Sequence, residues 1–90
     1  VPELSRFLGI VIAMFHKDHG PPHFHAFYAE HEIQVRLADG QVDGRFPPKA
    51  QAYVLEWYNL HRQELDEAWA LARQRLPLKR IAPLEQPCRA

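Results

Sequence analysis

The sequence predicts an α+β domain: an antiparallel β-meander of about four strands, one face covered by a long, bent helix or helix pair. Three observations carry this. Residues 32–37, EIQVRL, alternate apolar and polar, the two-residue period of a strand with one buried face. Asp39-Gly40 follows, a dipeptide favoured in two-residue hairpin turns. From Pro48 the period changes. Val54, Trp57, Tyr58, His61, Leu65, Ala68, Trp69 and Ala72 follow the three-and-four spacing of an amphipathic helix.

The strands come first. Residues 7–15, FLGIVIAMF, are too few for a typical helix and rich in Ile, Val and Phe, so they read as a strand buried on both faces. Gly20-Pro21-Pro22 breaks the chain. Residues 23–29 form the second strand, 32–37 the third and 41–46 the return strand. Pairing across Asp39-Gly40 sets Leu37 opposite Val42 and Ile33 opposite Phe46. A short turn at Glu30-His31 sets Tyr28 opposite Ile33, Ala26 opposite Val35 and Phe24 opposite Leu37. Both registers make one face apolar, as a single core requires. The other face then carries His23, His25, Phe27, Gln34, Arg36, Asp43 and Arg45, with Arg36 opposite His25.

The helical segment starts at Pro47-Pro48 and stops at Leu76-Pro77. A straight helix over 48–75 would be about 42 Å long at 1.5 Å per residue. A domain of this size is only about 31 Å across. The sequence therefore predicts a break near His61, or an overhang that meets a partner chain. Trp57, Tyr58 and Trp69 read as core, and His61 as a buried histidine bonded to backbone or carboxylate. The helix covers the apolar side of the sheet, so the histidine face stays open unless a second copy covers it in a homodimer. Residues 1–76 make one domain, and 77–90 an extended, Pro-rich, basic tail.

Composition narrows the function. Lys+Arg and Asp+Glu both number 11, so no overall basic field announces nucleic acid. The basic residues do gather late: Arg73, Arg75, Lys79, Arg80 and Arg89 stand against Glu85. The single cysteine, Cys88, cannot form an internal disulfide. The nine-residue apolar run is too short to cross a bilayer. These features predict a cytoplasmic protein with no membrane partner. The only serine is Ser5, so a serine or cysteine nucleophile has little support.

The chemistry is concentrated in residues 16–25, HKDHGPPHFH, which hold four of the six histidines. Three readings stand side by side. One is an acid–base centre on RNA. His23 and His25 would serve as base and acid, Arg36 would neutralise the charge at phosphorus, and Phe27 and Arg45 would hold the substrate. The second is a site for a divalent transition metal such as zinc or nickel, held by Asp18, His19, His23 and His25. The third is a non-catalytic interaction surface anchored on Phe27.

The combined motifs resemble a known family. SRFLGI at 5–10, DHGPPHFH at 18–25, VLEWYNLHRQEL at 54–65, Trp69 and PLKRIAPL at 77–84 are similar to the bacterial family of domain of unknown function 4160. The resemblance implies a small bacterial protein encoded beside a second small protein, of the domain of unknown function 2442 type. It implies a toxin–antitoxin pair in which this chain is the toxin-like member. The family pattern falls on Asp18, His19, Pro21, Pro22, His23 and His25, and matches also at Arg6, Trp57 and His61. It brings no catalytic assignment. The resemblance therefore implies the 2442-type protein as a partner, and the acid–base reading of the histidines adds RNA.

Overall fold

The computed structural model describes residues 3–16 and 20–84. Five antiparallel strands form one sheet in chain order: β1 (Glu3–Phe7), β2 (Ile10–Ala13), β3 (His23–Tyr28), β4 (His31–Arg36) and β5 (Val42–Arg45). Two helices follow, α1 (Pro48–Leu60) and α2 (Arg62–Arg73). The architecture is the α+β meander that the sequence predicts, with one more strand. No helix among the described residues is long and apolar enough to cross a membrane.

The additional strand comes from the apolar run at 7–15, which is a hairpin and not a single strand. Leu8 and Gly9 take φ of 52° and 80°, the left-handed pair that closes a two-residue turn with the right twist. Phe7 then pairs with Ile10. Ile10 and Ile12 are fully buried, whereas Val11 on the other face is half-buried. The run is thus a hairpin whose second strand buries Ile10 and Ile12 toward the core and Ala13 on the opposite face, with Val11 half-buried.

Both inner registers differ from the expected ones by two residues. The β3–β4 turn is Ala29-Glu30, with Ala29 at φ 53°, so Ala26 faces Ile33 and Phe24 faces Val35. After β4 the chain makes a wider loop in place of the two-residue hairpin, so Val35 faces Val42 and Ile33 faces Gly44. Arg36 lies opposite His23 rather than His25. A shift of two leaves every side chain on its expected face. Gly44 takes φ 109°, and a Cβ there would lie 2.7 Å from Glu32 O; only glycine lets β5 approach β4 so closely.

The helices close the core. Pro48 opens α1, where the missing N–H costs nothing. His61 interrupts the helix at φ −124°, ψ 31°, where the sequence predicts the break. Trp57 is fully buried against Phe7 and Phe24, with ring centroids 5.7 Å from each. Tyr58 donates its hydroxyl to Leu37 O at 2.6 Å. α2 stops before Pro77 because Arg75 turns left-handed at φ 59°. Leu76 N–H then bonds Leu71 O and Arg75 N–H bonds Ala72 O, a Schellman closure. Residues 77–84 contain no helix or strand. Ile81 and Leu84 nevertheless join the core, and Trp57 Nε1–H donates to Ala82 O at 2.8 Å.

Candidate functional site

The candidate site is the sheet face turned away from Phe24, Ile33 and Val35. Three cross-strand rows build it. Ala13, His25, Gln34 and Asp43 form one; Val11, Phe27, Glu32 and Arg45 form the next; His23 and Arg36 form the third. Strand alternation alone places these side chains together.

The centre of this face is aromatic. The His25 ring meets Phe15 edge-on at 4.8 Å and His23 edge-on at 5.1 Å. Phe27 lies nearly parallel to it, 8° between planes at 6.2 Å. These neighbours leave His25 only 7% exposed, so His25 is buried by side chains of its own face. His23 is half-buried, and its ring also lies 5.5 Å from Trp69. The second helix therefore reaches the start of β3.

Both imidazoles are oriented through Nδ1. His23 Nδ1 lies 2.9 Å from Pro21 O and His25 Nδ1 lies 3.1 Å from Glu32 Oε2. A carbonyl and an ionised carboxylate only accept hydrogen bonds, so each neutral ring carries its proton on Nδ1. The basic lone pair is then on Nε2 in both.

Arg36 stands across from His23, held by its own loop. Its Nε–H donates to Asp39 Oδ1 at 3.0 Å and its Nη2–H to Asp39 Oδ2 at 2.8 Å. A third bond runs from Nη2 to Gln41 Oε1. The guanidinium, followed by the Gln41 backbone N–H, holds the Asp39 carboxyl down at about 2, below its ordinary 3.8. Asp39 in turn raises the pKa of Arg36. Pro21, His23, Gln34, Arg36, Gln41 and Asp43 line a small open hollow of about 120 Å³, below the usual ligand-pocket range of about 300–1,000 Å³.

The remaining site residues fall as follows. Phe27 is half-buried and Arg45 exposed, opposite Glu32. Asp18 and His19 lie outside the described residues. Among the described residues no three His, Cys, Asp or Glu side chains come together to hold a metal ion. The other histidines are engaged elsewhere: His16 Nε2–H donates to Leu76 O at 3.0 Å, and His61 is bonded to Glu64 through Nδ1 and packed on Trp57. His31 meets Phe46 edge-on.

Comparison with known proteins follows this geometry. A family model described as domain of unknown function DUF4160 matches residues 9–70, more than half of the chain. The chain belongs to the DUF4160 family. The match runs through β2, the histidine segment, β3 to β5, α1 and most of α2, so the whole candidate site of this DUF4160 domain lies within it. No curated protein and no solved structure matches the chain.

Three contributors to the DUF4160 site are absent from the sequence-level set. Glu32 follows from the same two-residue period that gives Gln34 and Arg36. Phe15 keeps step with Val11 and Ala13 on this face, but a strand expected to be buried on both faces gives it no distinct role. Trp69 reaches His23 only because the helix breaks at His61, and no local pattern announces that contact.

Proposed function

We propose that this chain is a toxin-like protein whose His23–His25 face carries out acid–base chemistry on RNA. One observation carries the reading. Two imidazoles stand 5.1 Å apart on one strand, each with Nδ1–H on a protein acceptor and its basic atom at Nε2. Such second-partner bonds set the tautomer and ring angle that a catalytic histidine needs.

The reaction would be transesterification. One imidazole takes the proton of a ribose 2′-OH as its oxygen attacks phosphorus. The 5′-oxygen leaves and takes a proton from the other imidazole. A 2′,3′-cyclic phosphate and a 5′-OH result. His23 and Arg36 line the hollow that would receive the phosphate, and Arg36 supplies positive charge at its wall. His25, deeper, would act at short range beside His23. Phe27 and Arg45 would meet base and backbone further along the sheet. The toxin role and a 2442-type antitoxin partner rest on the family likeness, not on these distances.

The same Nδ1 bonds favour a second reading, since histidines that ligate metals through Nε2 are oriented in this way. His23 and His25 would then hold a transition metal such as zinc or nickel, with Asp18 and His19 the further ligands that the sequence suggests.

One experiment separates the two. Purified chain is incubated with RNA in chelator, beside a folded His23→Ala/His25→Ala variant. Cyclic phosphate ends from the wild type alone support the acid–base centre. Stoichiometric metal in the wild type, lost with both histidines, together with no cleavage in chelator, supports the metal site. Neither result overturns both.

A further inference from the structure

The two edges of the sheet are treated differently. At β1, Ile81 donates its N–H to Leu4 O at 2.8 Å, so the segment after α2 covers that edge. At β5, no described segment pairs with the outer side. An open edge offers backbone donors and acceptors to another strand.

The sequence of this edge is complementary to itself. Gln41 O accepts from Arg36 N–H at 2.9 Å. Alternation then turns the backbone of Asp43 and Arg45 toward β4, and that of Val42, Gly44 and Phe46 outward. Consider a second β5, antiparallel, related by a two-fold axis through Gly44. Gly44 faces its own copy, Val42 faces Phe46, and Asp43 faces Arg45, the last two pairs occurring twice by symmetry. Outward backbone groups meet at the even positions. The odd positions become non-hydrogen-bonded pairs, where side chains stand closest. There the exposed Asp43 and Arg45 meet as opposite charges. At the axis, Gly44 interposes no side chain. An edge bearing one sign of charge would repel its copy; this edge attracts it.

We infer that β5 is a self-pairing edge through which two copies of this chain join into one continuous antiparallel sheet. The pairing keeps both histidine faces on the same side of that sheet. Asp43 lines the hollow beside His23 and Arg36, so the Arg45 of the second copy stands at its rim. The inference does not depend on the reaction assigned to the histidines.

The test is sedimentation of the full chain over a range of concentrations, with D43R, R45D and the double exchange D43R/R45D. Wild type dimerises. Each single variant sets like charges opposite each other twice and raises the dissociation constant about tenfold or more. The double exchange dimerises like wild type. Mixing equal amounts of D43R and R45D restores a dimer, because every facing pair is again opposite in charge. A monomeric wild type, single variants that dimerise undiminished, or folded singles whose mixture stays monomeric each overturn the inference. Amide exchange needs no variant: protection of the Gly44 N–H must rise with protein concentration, and exchange independent of concentration overturns it too.

Discussion

His25 Nδ1 and Glu32 Oε2 lie 3.1 Å apart across the β3–β4 pair, on a diagonal between neighbouring rows. Glu32 is half exposed, whereas the His25 side chain is nearly buried. The carboxylate thus reaches in from solvent to fix a ring that its neighbours have already enclosed. Glu32→Ala removes the carboxylate acceptor from Nδ1–H, and Glu32→Gln keeps a carbonyl in its place. Imidazole ¹⁵N spectra are expected to show the Nδ1–H form of His25 in wild type and in Glu32→Gln, and a smaller share of that form in Glu32→Ala. Stability should fall by less than about 1 kcal/mol, because a half-exposed partner is screened by water. An unchanged tautomer in Glu32→Ala would show that Glu32 does not orient the ring.

Asp39 makes a second prediction, in acid. Its carboxyl is held at about 2 against an ordinary 3.8, chiefly by the Arg36 hydrogen bonds and then by the Gln41 N–H. A carboxyl whose pKa is depressed by folding favours the folded loop fully above its unfolded pKa, and that contribution disappears as the pH falls through about 2. Carboxyl ¹³C titration of the folded chain should give an Asp39 midpoint near 2, and Arg36→Gln should move it toward 3.8. A wild-type midpoint near 3.8 would mean that the fork between Arg36 and Asp39 does not persist in solution.

Faces were legible in the sequence, and registers were not. Period-two alternation places His23, His25, Gln34 and Arg36 on one face whatever the turn, provided the shift is even. Which residues form the turn depends on which accept positive φ, and Ala29 and Leu8 carry no signal for that. Gly9, inside the apolar run, was the readable sign that 7–15 is a hairpin. The helix break at His61 followed from length against domain size, although no Gly or Pro marks it. The polar face proved aromatic at its centre because Phe15, two residues beyond Ala13 at the end of β2 and in step with Val11 and Ala13, folds onto His25. Such packing is a property of three dimensions and has no one-residue signature.

Ser5 is a buried misfit whose removal should not harm the fold. It is 1% exposed, lies opposite Ile12 on the core side, and its Oγ has no hydrogen-bond partner among the described residues. An unsatisfied buried hydroxyl opposes folding, so its deletion recovers part of the desolvation cost. Ser5→Ala is expected to leave the denaturant midpoint unchanged or to stabilise by up to about 1 kcal/mol. A loss larger than that would reveal a bond that holds this hydroxyl in solution.

Trp57 ties the segment after α2 to the body of the protein. Its ring packs on Phe7 and Phe24, and its Nε1–H reaches Ala82 O at 2.8 Å. Beside that bond lie the two buried side chains Ile81 and Leu84, and Ile81 also bonds β1 through Leu4 O. Trp57→Phe keeps an aromatic ring but removes the donor and leaves a small void. The expected cost is about 1–2 kcal/mol. The position of the damage discriminates more sharply than its size. Amide exchange should accelerate at Ile81 and Leu84 well before it changes in β3 and β4, because local opening follows the weakest attachments. Limited proteolysis should then cut first between Leu78 and Leu84. Uniform acceleration across the sheet would instead make Trp57 a general core residue, with the segment held by Ile81 and Leu84 alone.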